Sequence, residues 1–219
     1  MSNIERLQVT GIVRNNSIDY IKHVFNAFNR NEIVVPINRA SDITNNKGLA
    51  VASIIKPEAD HGWYAEPQPL IFNDNIAQIS FTSGTQGEPK GIMLTHSNLA
   101  DVINRLNHVM SIDSTIREYI GIPIYHSFGF GRVRACLSSG GQIYIPPSGF
   151  NPIEIKELLK NNKINAVSAV PTLWRVLLND PRLIGEQGKK VKWIEIGSQY
   201  MSMEEKEKMK NIFPNAMIV

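Results

Sequence analysis

Thr82-Ser83-Gly84-Thr85-Gln86-Gly87-Glu88-Pro89-Lys90-Gly91 packs hydroxyls, glycines, an amide and a lysine into ten consecutive positions. Glycine there permits backbone angles that turn successive N–H groups toward one point, Thr82, Ser83 and Thr85 add hydroxyl donors, and Lys90 adds a positive charge. Such a donor-rich loop suits a polyphosphate. Two familiar phosphate motifs do not fit. A Walker loop needs Gly-Lys followed by Ser or Thr, whereas Pro89 precedes Lys90 and Gly91 follows it, and no GxGxxG fingerprint is present.

A second cluster reads Pro123-Ile124-Tyr125-His126-Ser127-Phe128-Gly129-Phe130-Gly131, and a third reads Glu195-Ile196-Gly197-Ser198-Gln199-Tyr200-Met201. His126 can orient a carboxylate or screen its charge, and no acidic residue stands beside it. A buried ammonium without a carboxylate partner is costly, so this segment is poorly suited to an ammonium-bearing ligand. Tyr200 can stack on a flat ring or fill space.

The string from Thr82 to Gly91 resembles the phosphate-loop signature of the adenylate-forming superfamily, which includes acyl-CoA and aryl-CoA synthetases, fatty acyl-AMP ligases, luciferases and the adenylation domains of peptide synthetases. Gln86 departs from it, standing where that family has Thr or Ser. The resemblance implies that Thr82, Ser83, Gly84, Thr85, Gln86, Gly87 and Lys90 hold ATP, with Gly197, Ser198, Gln199 and Tyr200 packed on adenine. It further implies that Thr82, Lys90 and His126 serve catalysis, and that His126, Ser127, Phe128 and Gly129 meet the substrate acid. The implied reaction activates a carboxylic acid as acyl-adenylate, releases pyrophosphate and passes the acyl group to a thiol, either coenzyme A or a carrier protein. Magnesium is implied too, but the glutamate that holds it in the family is expected beyond Val219, as are the ribose-binding Asp and the small C-terminal domain with its Lys. On this resemblance, residues 1–219 form part of a large N-terminal domain with its phosphate loop at 80–91, and the chain alone is expected to be catalytically incomplete. Two alternatives stay open: a nucleotide-binding or regulatory remnant, and a fragment of an amino-acid-activating domain.

The elements that must carry these loops read as α/β. Gln8 to Val13 is a strand, and Asn16-Ser17 caps a helix whose Ile21, Val24, Phe25 and Phe28 share one face. Ile33 to Ile37 is the next strand, which predicts parallel pairing. Ile76 to Phe81 and Ile92 to Leu94 flank the phosphate loop. Ser97 is expected to cap a helix burying Leu99, Val102, Ile103, Leu106, Val109 and Met110. A strand is expected from Tyr119 to Tyr125, a short helix over Val133 to Leu137, and further strand–helix alternation to Val219. Lys56 to Pro69 has no period and reads as a surface connection. The sum predicts a mostly parallel sheet flanked by helices, with three loops (82–91, 126–131 and 197–201) leaving carboxyl ends of strands, where open parallel sheets bind ligands.

Composition agrees with a folded globular chain: 219 residues, 42% hydrophobic, 20% charged. The net charge of +3 is mild, and Lys189, Lys190 and Lys192 read as a solvated turn, so no nucleic-acid partner is expected. The single cysteine, Cys136, lies in an apolar run and reads as a small buried hydrophobe. No apolar stretch approaches the roughly 18 residues that span a bilayer. These features point to a cytoplasmic protein.

Overall fold

The computed structural model describes residues 8–39, 51–81 and 90–219. They form two compact units, residues 1–60 with 70–102 and residues 61–69 with 103–219.

In the first unit, β1 (Val9–Val13), β2 (Ile33–Ile37), β3 (Ser53–Ile55), β5 (Ile76–Phe81) and β6 (Gly91–Thr95) form one sheet in the order β3-β1-β2-β5-β6. β4 (Gly62–Tyr64) belongs to the other unit. β1 pairs parallel with β2 and β3, as a strand–helix–strand passage requires. Between β1 and β2 runs α1 (Ile18–Asn29), whose Ser17 Oγ accepts from the Tyr20 N–H. Its apolar face buries Ile21, Val24, Phe25 and Phe28, the four positions that the period marked. Only β6 runs antiparallel, pairing with β5 in a register that sets Ser80 against Ile92 and Phe81 against Gly91. The two ends of the segment between Phe81 and Gly91 are thus held opposite each other.

α2 (His96–Met110) starts two residues earlier than the sequence predicts. The cap is Thr95, whose Oγ1 accepts from the Asn98 N–H while Asn98 Oδ1 accepts from the Thr95 N–H, each at 3.1 Å. Ser97 instead donates to the Asn73 carbonyl at 2.8 Å. The buried stripe is His96, Ala100, Ile103 and Met110, and the expected Val102 and Val109 are 54% and 63% exposed. Each lies one residue, hence about 100° of helix, away from a buried neighbour.

The second unit is built on the sheet β11-β10-β9-β7-β8-β4. Its members are β7 (Arg117–Ile120), β8 (Gln142–Ile145), β9 (Ala166–Ala169), β10 (Trp193–Ile196), β11 (Met217–Ile218) and β4, which alone is antiparallel. The connection expected over 56–69 thus hides a strand, which seats Trp63 against Tyr144 with ring centroids 5.1 Å apart. Three residues are too few to show a period. β7 ends at Ile120, five residues before the expected end, because pairing gives way at Gly121 and Pro123 cannot donate to a ladder.

α3 (Ser127–Ser138) is more than twice the predicted stretch. Gly129 and Gly131 disguise its first turn, since glycine is a poor helix former, but a Cβ on Gly129 would stand 2.3 Å from the Pro123 carbonyl oxygen. α4 (Pro152–Lys160), α5 (Pro171–Asn179) and α6 (Met203–Ile212) complete the alternation. Asn151 caps α4 through the Ile153 and Glu154 N–H groups, and Ser202 with Glu205 closes the predicted capping box on α6. The core on this side gathers Tyr119, Val167 and Ile194 from the sheet with Ile155, Leu159, Trp174, Leu177, Met209 and Phe213 from the helices. Cys136 is wholly buried, and burial pushes its thiol well above the ordinary range, so it is inert at neutral pH. The three lysines of 189–192 each hold a partner: Lys189 meets Glu186, Lys190 donates to the last carbonyls of α4, and Lys192 donates to Thr115.

Candidate functional site

β7, β9 and β10 are parallel neighbours, so the loops after β7 and β10 leave the same edge of the sheet. After β7, the His126 N–H meets the Pro123 carbonyl at 3.4 Å and the His126 carbonyl accepts from the Phe130 N–H at 2.9 Å, which makes His126 the N-cap position of α3. Its side chain does not cap the helix. The imidazole is exposed and lies 4.7 Å from the Tyr125 ring, while Ser127 is exposed, Phe128 half-buried and Gly129 buried.

Phe128 joins this loop to the one after β10. A Cβ on Gly197 would stand 2.7 Å from Phe128 Cζ and 2.8 Å from Cε1, so the ring occupies the space of the missing side chain. Beyond Gly197 the chain turns through Ser198 in the left-handed region, φ 72°, an uncommon conformation for a residue with a Cβ. Ser198, Gln199 and Tyr200 are exposed, Tyr200 by 81%. Met201 is buried and closes the loop, and Arg175 holds it from α5: its Nη2 donates to the Tyr200 carbonyl while its guanidinium pairs with Glu205 at 2.6 Å. The Arg175 guanidinium and the Ser202 N–H hold the Glu205 carboxyl down at about 2. Trp174 Nε1 donates to the Ala169 and Glu195 carbonyls at 3.0 and 3.2 Å, stapling the ends of β9 and β10.

Beneath these loops lies a buried ionic cluster. Arg132 grips Glu118 with Nε at 2.9 Å and Nη2 at 3.2 Å, and Ser168 donates to the same carboxylate. Glu195 Oε2 is 2.8 Å from Arg132 Nε, yet the single Nε–H is already directed at Glu118, so Glu195 has an ion pair without a hydrogen bond there. The guanidinium also lies 4.6 Å from the Trp193 ring centroid, a cation–π contact. One arginine cannot neutralise two carboxylates out of water. Burial, and then the neighbouring Glu118, push the Glu195 carboxyl up to about 7 against the pull of Arg132. Ser168 pairs in register with both Ile120 and Glu195, so the cluster fixes β7, β9, β10 and α3 to one another just below the edge from which both loops depart.

In the first unit, residues 82–89 lie outside the described residues, and with them Thr82, Ser83, Gly84, Thr85, Gln86 and Gly87. What is described are the two ends, Phe81 and Gly91, held opposite each other, and Lys90, which is exposed. Of the predicted site residues, the structure thus brings together His126, Ser127, Phe128 and Gly129 with Gly197, Ser198, Gln199 and Tyr200 on one edge of the second unit's sheet. Among the described residues there is no group of three or more His, Cys, Asp or Glu placed to hold a metal.

Sequence reasoning passed over Glu118, Arg132, Ser168, Trp174 and Arg175. One signal was available: Glu118 and Glu195 are acids within segments whose neighbours are apolar, and a carboxylate in a buried strand needs a cation nearby.

The family profile described as AMP-binding enzyme matches residues 7–219. The chain is 36% identical over 110 residues to YngI of Bacillus subtilis, provisionally named an acyl-CoA synthetase, covering 49% of this chain and 20% of that protein. It is 32% identical over 123 residues to a feruloyl-CoA synthase of Amycolatopsis, covering 53% and 24%. The inhibitor-bound N-terminal domain of FACL13 from Mycobacterium tuberculosis superposes with a TM-score of 0.76 at 17% identity, over 99% of this chain and 62% of that one. The chain therefore spans a fifth to a quarter of these curated relatives' length. A donor-rich sequence between Phe81 and Gly91, a His-bearing loop beside a glycine-bearing loop on one sheet edge, and a profile match along nearly the whole sequence agree: this chain belongs to the AMP-binding enzyme family.

Proposed function

We propose that this chain supplies the nucleotide- and acid-binding face of an enzyme that activates a carboxylic acid with ATP. A substrate carboxylate oxygen attacks the α-phosphorus, a new P–O bond forms, and the bond to the β-phosphate breaks with release of pyrophosphate. The hairpin loop from Thr82 to Lys90 accepts the charge that builds on the leaving β- and γ-phosphates through backbone N–H groups, hydroxyls and the Lys90 ammonium. Gly197 to Tyr200 provides the adenine platform, and His126 with Ser127, Phe128 and Gly129 receives the acid. The acyl group then passes to a thiol, that of coenzyme A or of a carrier protein. Tyr125, Ser127 and Phe128 around His126 offer no carboxylate for an ammonium, which favours a simple carboxylic acid. Magnesium would help to neutralise the phosphates.

The observation that carries this reading is the pairing of Phe81 with Gly91, which holds together the two ends of the donor-rich segment in a chain of this family. Calorimetric titration with ATP tests it. Lys90→Ala removes one charge-assisted contact, worth roughly 1.5–3 kcal/mol, and is expected to weaken ATP binding by about ten- to a hundredfold. Equal affinities in variant and wild type would remove Lys90 from the site.

A further inference from the structure

α5 fastens the loop after β10 on both of its sides with two consecutive residues. Trp174 is wholly buried, and its Nε1 donates to the Glu195 carbonyl, two residues before Gly197. Arg175 stands about 100° further round the helix and reaches α6 instead. Its Nε donates to Glu205 Oε1 at 2.6 Å, and its Nη2 donates to Glu205 Oε2 at 3.3 Å and to the Tyr200 carbonyl at 3.2 Å. Glu205 Oε2 also accepts from the Ser202 N–H at 2.8 Å. The ion pair therefore holds the carbonyl before Met201 and the N–H after it, while Met201 itself is buried.

α6 does not need Arg175 in order to start, since Ser202 and Glu205 already satisfy each other's backbone N–H groups. Arg175 and Glu205 are both half-buried, and an ion pair that water reaches adds little to stability. What Arg175 alone contributes is the bond to the Tyr200 carbonyl. A planar guanidinium can make that bond while gripping a carboxylate at two points, which the single ammonium of a lysine cannot. Between the two fastenings, Gly197 lies against the Phe128 ring and Ser198 takes its left-handed turn, so the backbone of the loop is defined along its length. The aromatic ring that this fixed loop presents to solvent is Tyr200, 81% exposed. A ring face held in place before a ligand arrives can stack on a flat group without the cost of ordering the loop.

We propose that Arg175 is a positioning residue for the nucleobase: by fixing the peptide that carries Tyr200, it presets the tyrosine ring as one wall of the adenine site. The inference rests on the reading above that Gly197 to Tyr200 receives adenine. Arg175 touches neither adenine nor phosphate in this arrangement and acts through the Tyr200 carbonyl, with Glu205 as its anchor.

The test titrates the 219-residue chain with AMP and, separately, with inorganic tripolyphosphate, reading the Tyr200 and Lys90 amide signals by NMR. Arg175→Ala is expected to weaken AMP binding about fivefold, on the scale of one hydrogen bond, and to leave tripolyphosphate binding unchanged. Tyr200→Ala should weaken AMP by a similar factor, and the double variant should bind AMP no more weakly than either single one, because the ring is already displaced once Arg175 is gone. Arg175→Lys keeps the charge opposite Glu205 without the fork and is expected to fall between wild type and Arg175→Ala; should Arg175→Ala fail to fold, wild-type AMP affinity in Arg175→Lys overturns the proposal. A purely structural role would lower the melting temperature of Arg175→Ala and leave its AMP affinity untouched, and that result overturns the proposal too. So does an equal loss for AMP and tripolyphosphate, or a fully additive loss in the double variant. If Tyr200→Ala binds AMP as wild type does, Tyr200 is no wall of the adenine site and the proposal falls while nucleotide binding stands. If AMP moves no signal in the wild-type chain, the nucleotide-binding reading fails and takes this one with it.

Discussion

Gly197 shows how a single missing side chain sets the geometry of the edge. Phe128 fills the volume where a Cβ would stand, so a ring from the loop after β7 packs onto the backbone at the end of β10. Nothing lighter than a shift of the ring or the strand would admit a methyl group, because both are held by their own neighbours. Gly197→Ala is therefore expected to lower stability by about 1–3 kcal/mol in urea unfolding, the usual cost of overpacking. Phe128→Leu should restore much of that loss when combined with it, and additive losses in the double variant would show that the two residues do not share the space. At the same scale, Gly131 sits beside open space in the same helix, so Gly131→Ala is sterically admissible where Gly197→Ala is not.

At the scale of elements, the Glu118–Arg132–Glu195 cluster makes the stability of the β10 edge depend on pH. Glu195 has a folded-state pKa raised to about 7 from 4.5, so the native state holds its proton more tightly than the unfolded chain does. Stability from this group is fully present below about pH 4.5 and is lost as pH rises through 7, a few kcal/mol in all at ~1.4 kcal/mol per unit. Glu195→Gln mimics the protonated form and is expected to raise stability at pH 8 by ~1–3 kcal/mol while changing little at pH 5. Urea midpoints at the two pH values measure this, and an unchanged pH slope would assign the titration elsewhere. Such a cluster was only half legible in the sequence. The period-2 and period-3.6 patterns are local, so β1, α1, β2 and the capping box of α6 could be read directly. The partner of Glu118 is Arg132, 14 residues away across a loop, and that of Ser168 is Glu118, 50 residues away. Long-range pairings leave no local period. The same reasoning explains α3, whose Gly129 is required by the close approach of Pro123 and not by helix propensity. It also explains Val102 and Val109, where apolar type was mistaken for burial although the heptad between them lies off the packed stripe. The loops of the candidate site stand out in the sequence by their glycine, hydroxyl and histidine content, which is a local signal.

At the scale of the whole molecule, the two units differ in what holds them. In the first, the shorter of the two, Val9, Ile33, Val35, Ile37 and Ile79 form one packed cluster and α1 buries Ile21, Val24, Phe25 and Phe28 besides, whereas the second has a continuous core running from Tyr119 to Ala216 through both sheet and helices. Stability rises with the fraction of surface a unit can bury, so the first unit is expected to unfold at lower denaturant. The chain provides a direct way to see this. Its three tryptophans, Trp63, Trp174 and Trp193, all belong to the second unit, and Trp174 and Trp193 are buried. Tryptophan fluorescence therefore reports on the second unit, while far-UV circular dichroism reports on helices and strands of both. In a urea titration the dichroism is expected to begin falling before the fluorescence changes, and on the proposed function ATP should delay the early phase by binding residues of the first unit. Coincident transitions by the two probes, with and without ATP, would show instead that the units unfold as one cooperative body.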